Sequence, residues 1–186
     1  MIKELLLIML GGIIVNNIAF TKLLGICPIV GGKSAESKAC ATGTAIALVM
    51  LIVAAICWPL QKYVLDAFEL GALQIFLYVL VVFIVVYLLE LVVKAQFKES
   101  LGLYFPVIAL NAAVLGLALI NAADGLGFLE TVFASLGAGL GYMLAMWLFA
   151  GVQSRIQQKY VPAAFRGLPI SVLAAAIISM ALTAFK

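Results

Sequence analysis

Six long apolar stretches divide the chain, at about Leu5–Thr21 with an extension to Gly32, Ala39–Leu60, Leu73–Val93, Leu101–Ala123, Thr131–Val152 and Gly167–Phe185. Most of them reach the roughly 20 residues needed to cross about 30 Å of hydrocarbon. The connectors, such as GGKSAESK and QSRIQQKYVPAAFRG, are polar and too short to hold a soluble domain. A backbone in lipid has to satisfy its own hydrogen bonds, so each stretch is predicted to be helical. The pattern therefore predicts an all-α integral membrane protein with six transmembrane helices, forming one membrane domain over residues 1–186.

The first stretch breaks its own pattern. NNIAFTKLLGICPIVGG, residues 16 to 32, places two Asn, a Lys and a Cys in a segment that should be uniformly greasy. Run as one helix from Leu5 to Gly32, it would extend about 42 Å, longer than the layer it crosses. A break near Gly25 and Pro28 is expected to absorb the excess, because Pro removes a backbone donor and clashes with the preceding turn. Lys22 has two readings: its ammonium snorkels to the cytoplasmic interface, or it faces a polar interior and needs a partner.

With an odd number of spans in each half, spans one to three (about 1–96) and four to six (about 101–186) can be related only as inverted repeats. Inverted repeats tend to build sites near the bilayer midplane on interrupted helices. The first and fourth spans are the predicted interrupted pair, the fourth carrying Pro106 and then LNAAVLG. Chance polar interruptions are the competing explanation.

Composition supports the bilayer assignment. Hydrophobic residues make up 67% of the chain, charged residues 10%, and mean hydropathy is +1.28. A soluble domain is about half apolar and about a quarter charged. The net charge of +3 comes without a basic cluster, and its distribution marks orientation. Lys3, Lys62 and Lys186 share one side, whereas Lys22, Lys33, Lys38, Lys94, Lys98, Arg155, Lys159 and Arg166 share the other. The positive-inside rule then puts both termini on the outer face, and a nucleic-acid role drops out. MIKELLLIMLGG resembles a signal peptide, but no A-x-A-like site follows it and Glu4 sits in its would-be basic region. The first helix is expected to be retained.

Three Cys and no His exclude a disulfide framework and the usual zinc spacings. Cys40 and Cys57 read as small apolar residues of span two. Cys27, between Gly25 and Pro28, is either structural or a ligand held where a helix N-terminus stabilises thiolate. Glu90, four residues before Lys94, is an ion-pair partner or a cation-entry carboxylate. Gly137 and Gly141 mark a face for close helix contact. Arg155, Lys159 and Arg166 form a cytoplasmic docking surface or serve only as an orientation signal.

Together, NNIAFTKLLGICP, LNAAVLGLAL and VPAAFRGLPI on this frame closely resemble the A-subunit family of the Rnf complex. That complex is the ion-translocating ferredoxin:NAD⁺ oxidoreductase of bacterial cytoplasmic (inner) membranes. The E subunit of the sodium-translocating NADH:quinone oxidoreductase is related. The resemblance covers essentially the whole chain. It implies a midplane [2Fe–2S] cluster shared with a paralogous inverted membrane subunit, each subunit giving one thiolate from its first helix and one from its fourth. It also implies cytoplasmic iron–sulfur and flavin subunits, outer-face covalent-flavin subunits, and electron relay coupled to Na⁺ or H⁺ movement.

The first-helix ligand maps onto Cys27. The fourth-helix ligand should follow Asn111, but that position is Ala112, which cannot bind iron. Ala112 is either an introduced substitution or a natural variant with a weakened or absent cluster. Gly25, Asn16, Asn17 and Asn111 are then candidates to approach the cofactor or to satisfy the broken backbone. A chain of this size also fits a six-helix solute-binding transporter component without cofactor, or a purely structural assembly subunit.

Overall fold

The computed structural model describes residues 2–13, 15–25, 36–68, 71–96, 108, 111–156 and 161–183. Its α-helices, in chain order, are α1 (Ile2–Ile13), α2 (Ile18–Thr21), α3 (Glu36–Leu60), α4 (Gln74–Gln96), α5 (Ala112–Ala123), α6 (Phe128–Arg155) and α7 (Leu168–Thr183). A π-helical turn, Gln61–Leu65, continues α3, and no strand occurs among the described residues.

Three segments in the described residues are long and apolar enough to cross a membrane: Thr42–Leu65, Gly71–Val92 and Phe128–Arg155. They correspond to the second, third and fifth apolar stretches. The first and fourth stretches do not form single helices. The first is divided into α1 and α2, and the fourth is interrupted at Asn111, which adopts extended dihedrals (φ −74°, ψ 112°) before α5 begins at Ala112. Hydropathy reads the solvent around a segment and is blind to where a polar side chain lets the backbone turn.

The break in the first span lies earlier than expected. The helix ends at Ile13, and Asn17 adopts extended dihedrals (φ −60°, ψ 112°) as the N-cap of α2. Gly25 does take part, with φ +74°, and Leu23 is also left-handed at φ 52°. Pro28 lies outside the described residues. The physical reason for the early break is Asn17 itself, which replaces the hydrogen bonds that the helix gives up.

The core forms where α3 lies along α6. From α3 come Ile46, Val49, Met50 and Val53, and from α6 come Tyr142, Ala145, Met146 and Phe149, all buried. Helix α1 packs closely on α6, and α5 packs on α3. The α1–α6 crossing is lined by glycine, as the Gly137–Gly141 spacing predicted. A Cβ on Gly141 would sit 2.8 Å from the Gly12 carbonyl oxygen, and one on Gly137 would strike the carbonyl of Met9. Helix α4 presents Ile75, Phe76, Phe83, Tyr87 and Leu88 outward. An apolar outer face on a long helix fits a lipid surround.

Candidate functional site at the broken first span

Two asparagines cap two helix starts in the same way. Asn17 accepts from the Ala19 N–H at 3.1 Å, and Asn111 accepts from the Ala113 N–H at 2.9 Å. In both, the side chain supplies an acceptor to an N–H that the first turn leaves without an intrahelical partner. Both are almost fully buried, where an unmade hydrogen bond is expensive.

Their amide nitrogens reach the same stretch of α6. Asn17 Nδ2 donates to the Ile13 carbonyl at 3.1 Å and to the Gly141 carbonyl at 2.7 Å. Asn111 Nδ2 donates to the Tyr142 hydroxyl at 3.1 Å, and that hydroxyl donates to the Gly25 carbonyl at 2.7 Å. Two further bonds secure α2: Thr21 Oγ1 donates to the Asn17 carbonyl, and Ser179 Oγ of α7 donates to the Phe20 carbonyl. The broken backbone is thus satisfied by side chains from α6 and α7, as a chain inside hydrocarbon requires.

Gly25 sits directly on the start of α5. A Cβ there would collide with Asn111 Oδ1 and approach the Ala113 Cβ to 2.7 Å. One turn along α5, a Cβ on Gly116 would meet Leu24 Cδ1 at 2.7 Å. Tyr142 is the fifteenth of the 28 residues of α6, so the junction of Gly25, Asn111 and Tyr142 lies halfway along the longest helix among the described residues. The first and fourth stretches therefore meet beside the middle of α6.

Of the residues singled out from sequence, the structure brings Gly25, Asn17 and Asn111 together around α6. Ala112, the first residue of α5, is exposed at this depth. Asn16 and Lys22 are exposed as well, and both line a cavity that also includes Asn121 and Asp124. Lys22 precedes Gly25 by three residues and shares this cavity with residues of α1, α5 and α6. Cys27 lies outside the described residues, as do the side chains of Cys40 and Lys94. Cys57 is buried in α3, away from the Gly25 junction.

Glu90 is half-buried in α4 and engaged in a polar or electrostatic contact. Arg155 and Arg166 are exposed, the latter donating through Nε to the Val161 carbonyl at 2.9 Å, and Lys159 lies outside the described residues. The described residues contain no group of three or more His, Cys, Asp or Glu placed to hold a metal ion.

Sequence reasoning missed Tyr142 and Ser179, which close the hydrogen bonds of the break. The available signal was a hydroxyl in an otherwise apolar span, in Tyr142 directly after the GAGLG glycines.

The chain matches the family described as "Rnf-Nqr subunit, membrane protein" over residues 5–186. It is 39% identical over 185 residues to the A subunit of the Na(+)-translocating ferredoxin:NAD(+) oxidoreductase complex of Acetobacterium woodii, covering 98% of this chain and 96% of that one. It is 38% identical to the A subunit of the ion-translocating oxidoreductase complex of an Azoarcus species, and 37% identical to that of Syntrophotalea carbinolica. Both matches cover 98% of this chain and 96% of the relative.

Proposed function

The chain belongs to the Rnf-Nqr family of membrane subunits, and on that basis we propose that it is the A-type subunit of an ion-translocating ferredoxin:NAD⁺ oxidoreductase complex. It acts as one part of a multi-subunit translocase in a bacterial cytoplasmic membrane and is not catalytic alone. Its six spans form two inverted three-helix repeats, about 1–96 and 101–186, with both termini on the outer face. Even with Lys22 left out of the tally, the cytoplasmic side is richer in Lys and Arg, so the positive-inside argument keeps its sign.

The observation that carries this reading is the junction at Gly25, Asn111 and Tyr142. It joins the first and fourth stretches beside the middle of α6, and Ala112, Asn16 and Lys22 of those stretches are exposed. A lysine costs about 2.5–3.5 kcal/mol at the centre of a lipid-facing helix on insertion scales. This face is therefore covered by protein, and a paralogous inverted membrane subunit fits it. Cytoplasmic iron–sulfur and flavin subunits and outer-face flavin subunits complete the assembly, which moves Na⁺ or H⁺. Glu90, half-buried in α4, is retained as a position on the cation route.

The [2Fe–2S] cluster expected from the resemblance would take Cys27 from this chain. A cluster of this type is ordinarily held by four thiolates. At the fourth-span position Ala112 presents a methyl group and no donor, and Cys57 is buried elsewhere in α3. The donor set does not fit a cluster that takes two ligands from each subunit.

The test is the purified complex compared with its Ala112→Cys variant, by iron content and electron paramagnetic resonance. Co-purification with flavin-carrying subunits is expected in both; a solute-binding transporter component would bring none. More iron in the variant would identify residue 112 as the missing ligand position. Equal iron in both would overturn the placement of the cluster, and absence of flavin-carrying partners would overturn membership in such a complex.

A further inference from the structure

A second polar feature lies at the opposite end of α3 from its N-terminus, well away from the Gly25 junction. A cavity of about 330 Å³ opens between the end of α3, the start of α4 and the α5–α6 corner. Its lining includes Cys57, Gln61, Asp66, Tyr78, Asn121 and Thr131. Pro59 lies inside the helix just before, and the backbone widens into the π-helical turn Gln61–Leu65. Single π-turns of this kind recur at functional sites.

The walls are held by their own hydrogen bonds. Tyr78 Oη donates to Gln61 Oε1 at 2.9 Å, and Gln61 Nε2 donates to Asp66 Oδ1 at 2.7 Å. Trp58 Nε1 donates to the Leu126 carbonyl at 2.8 Å and fixes the α5–α6 corner against α3. Asn121 Nδ2 donates to Ser135 Oγ at 3.1 Å. Among the described residues, one buried side chain remains unanswered. Thr131 Oγ1 is buried, with the residue only 2% exposed, and has no hydrogen-bond partner among them. A buried hydroxyl without a partner costs free energy, so a hydrogen-bonding occupant of the cavity is required.

The electrostatics select the sign of the occupant. The C-terminal ends of α3 and α5 meet here, and helix C-termini carry partial negative charge. The N-terminus of α6 has the opposite polarity, but its leading N–H, on Gly127, is answered by the Glu130 carboxylate at 2.8 Å. Asp66 lines the opening, and the Glu130 carboxylate sits on Gly127 of the same lining. The one lysine of the lining, Lys62, places its Nζ 5.0 Å from the Trp58 ring centroid, where the ring's π-face holds it at the wall. Water fills a polar space of this size readily.

We propose that this cavity is a hydrated, cation-selective vestibule that opens on the outer face and has the Thr131 hydroxyl as its buried floor. Its occupant is a small hydrated monovalent cation. Its role and its side rest on the reading of the chain as an outward-terminating subunit of an ion-translocating complex, but its existence does not.

Cys57 is a natural reporter, since it lines the cavity in a span. The whole complex in spheroplasts and in inverted membrane vesicles is treated with two membrane-impermeant methanethiosulfonates, one bearing trimethylammonium and one sulfonate. Modification of the Cys57 peptide is read by mass spectrometry, with Cys57→Ser as the blank. The cationic reagent is expected to react about tenfold or more faster than the anionic one, and only in spheroplasts. Thr131→Val should slow that reaction, and Thr131→Ser should restore it. Reaction confined to inverted vesicles, with the cationic preference intact, would overturn the orientation and leave a cytoplasmic vestibule. Equal rates for the two reagents, no reaction from either side, or an unchanged rate in Thr131→Val would overturn the vestibule itself.

Discussion

The Tyr142 hydroxyl donates to the carbonyl of Gly25 at 2.7 Å, joining the middle of α6 to a backbone turn 117 residues earlier in the chain. The same oxygen accepts from Asn111, so one hydroxyl answers both interrupted segments. Tyr142 is fully buried, and water has no access to substitute for it. Tyr142→Phe keeps the ring and its packing but leaves a carbonyl and an amide donor without a partner. A loss of roughly 1–3 kcal/mol is expected for such buried orphans. It should appear as a lowered Tm of the detergent-purified complex, and an unchanged Tm would show that the bond contributes nothing.

Gly25 faces two obstacles to substitution, and a second glycine separates them. Gly25→Ala must place a Cβ against Asn111 Oδ1 at φ +74°, whereas Gly125 at φ +62° has open space around it. The left-handed backbone alone costs roughly 1–2 kcal/mol for a residue with a Cβ. Gly125→Ala should therefore lower stability by about that amount, and Gly25→Ala by clearly more. Equal losses in thermal unfolding would mean that the approach of Gly25 to Asn111 is not close.

The α1–α6 crossing provides its own control along a single helix. Gly137→Ala and Gly141→Ala drive a methyl group into the backbone of α1, while Gly151→Ala meets nothing within 4 Å. Overpacking a tight contact costs about 1–3 kcal/mol. Gly151→Ala should be neutral or mildly stabilising, because Ala is the better helix former by up to about 1 kcal/mol. Expression level and Tm of the three variants would decide it; tolerance of both Gly137→Ala and Gly141→Ala would rule out the close crossing.

Ala112 is exposed at the first position of α5, at the depth of the Tyr142 junction. Ala112→Cys in the isolated chain should react with a lipid-soluble maleimide, and assembly of the complex should protect it. Equal reactivity in the complex and in the isolated chain would mean that no partner covers this face.

Several features were legible in the sequence because they depend on solvent and local sterics alone. Burying apolar side chains in a bilayer requires internally bonded helices, and the second, third and fifth stretches formed them close to their expected limits. The four-residue spacing of Gly137 and Gly141 places both on one helix face, whatever lies opposite. The polar character of residues 16 to 25 likewise announced an interrupted span.

Only the tertiary structure decided where that span breaks and what the polar residues do there. Helix propensity marks Gly25 and Pro28 as the weakest points of a helix, yet the helix already ends at Ile13. Its termination depends on Asn17 finding the Gly141 carbonyl, a partner 124 residues away. The same holds for Lys22 beside α5, and for the Thr131 hydroxyl left unanswered in its cavity. A hydrogen bond needs two groups within about 3 Å, and the second is supplied by whichever helix packs there. Chain order alone carries no record of that proximity.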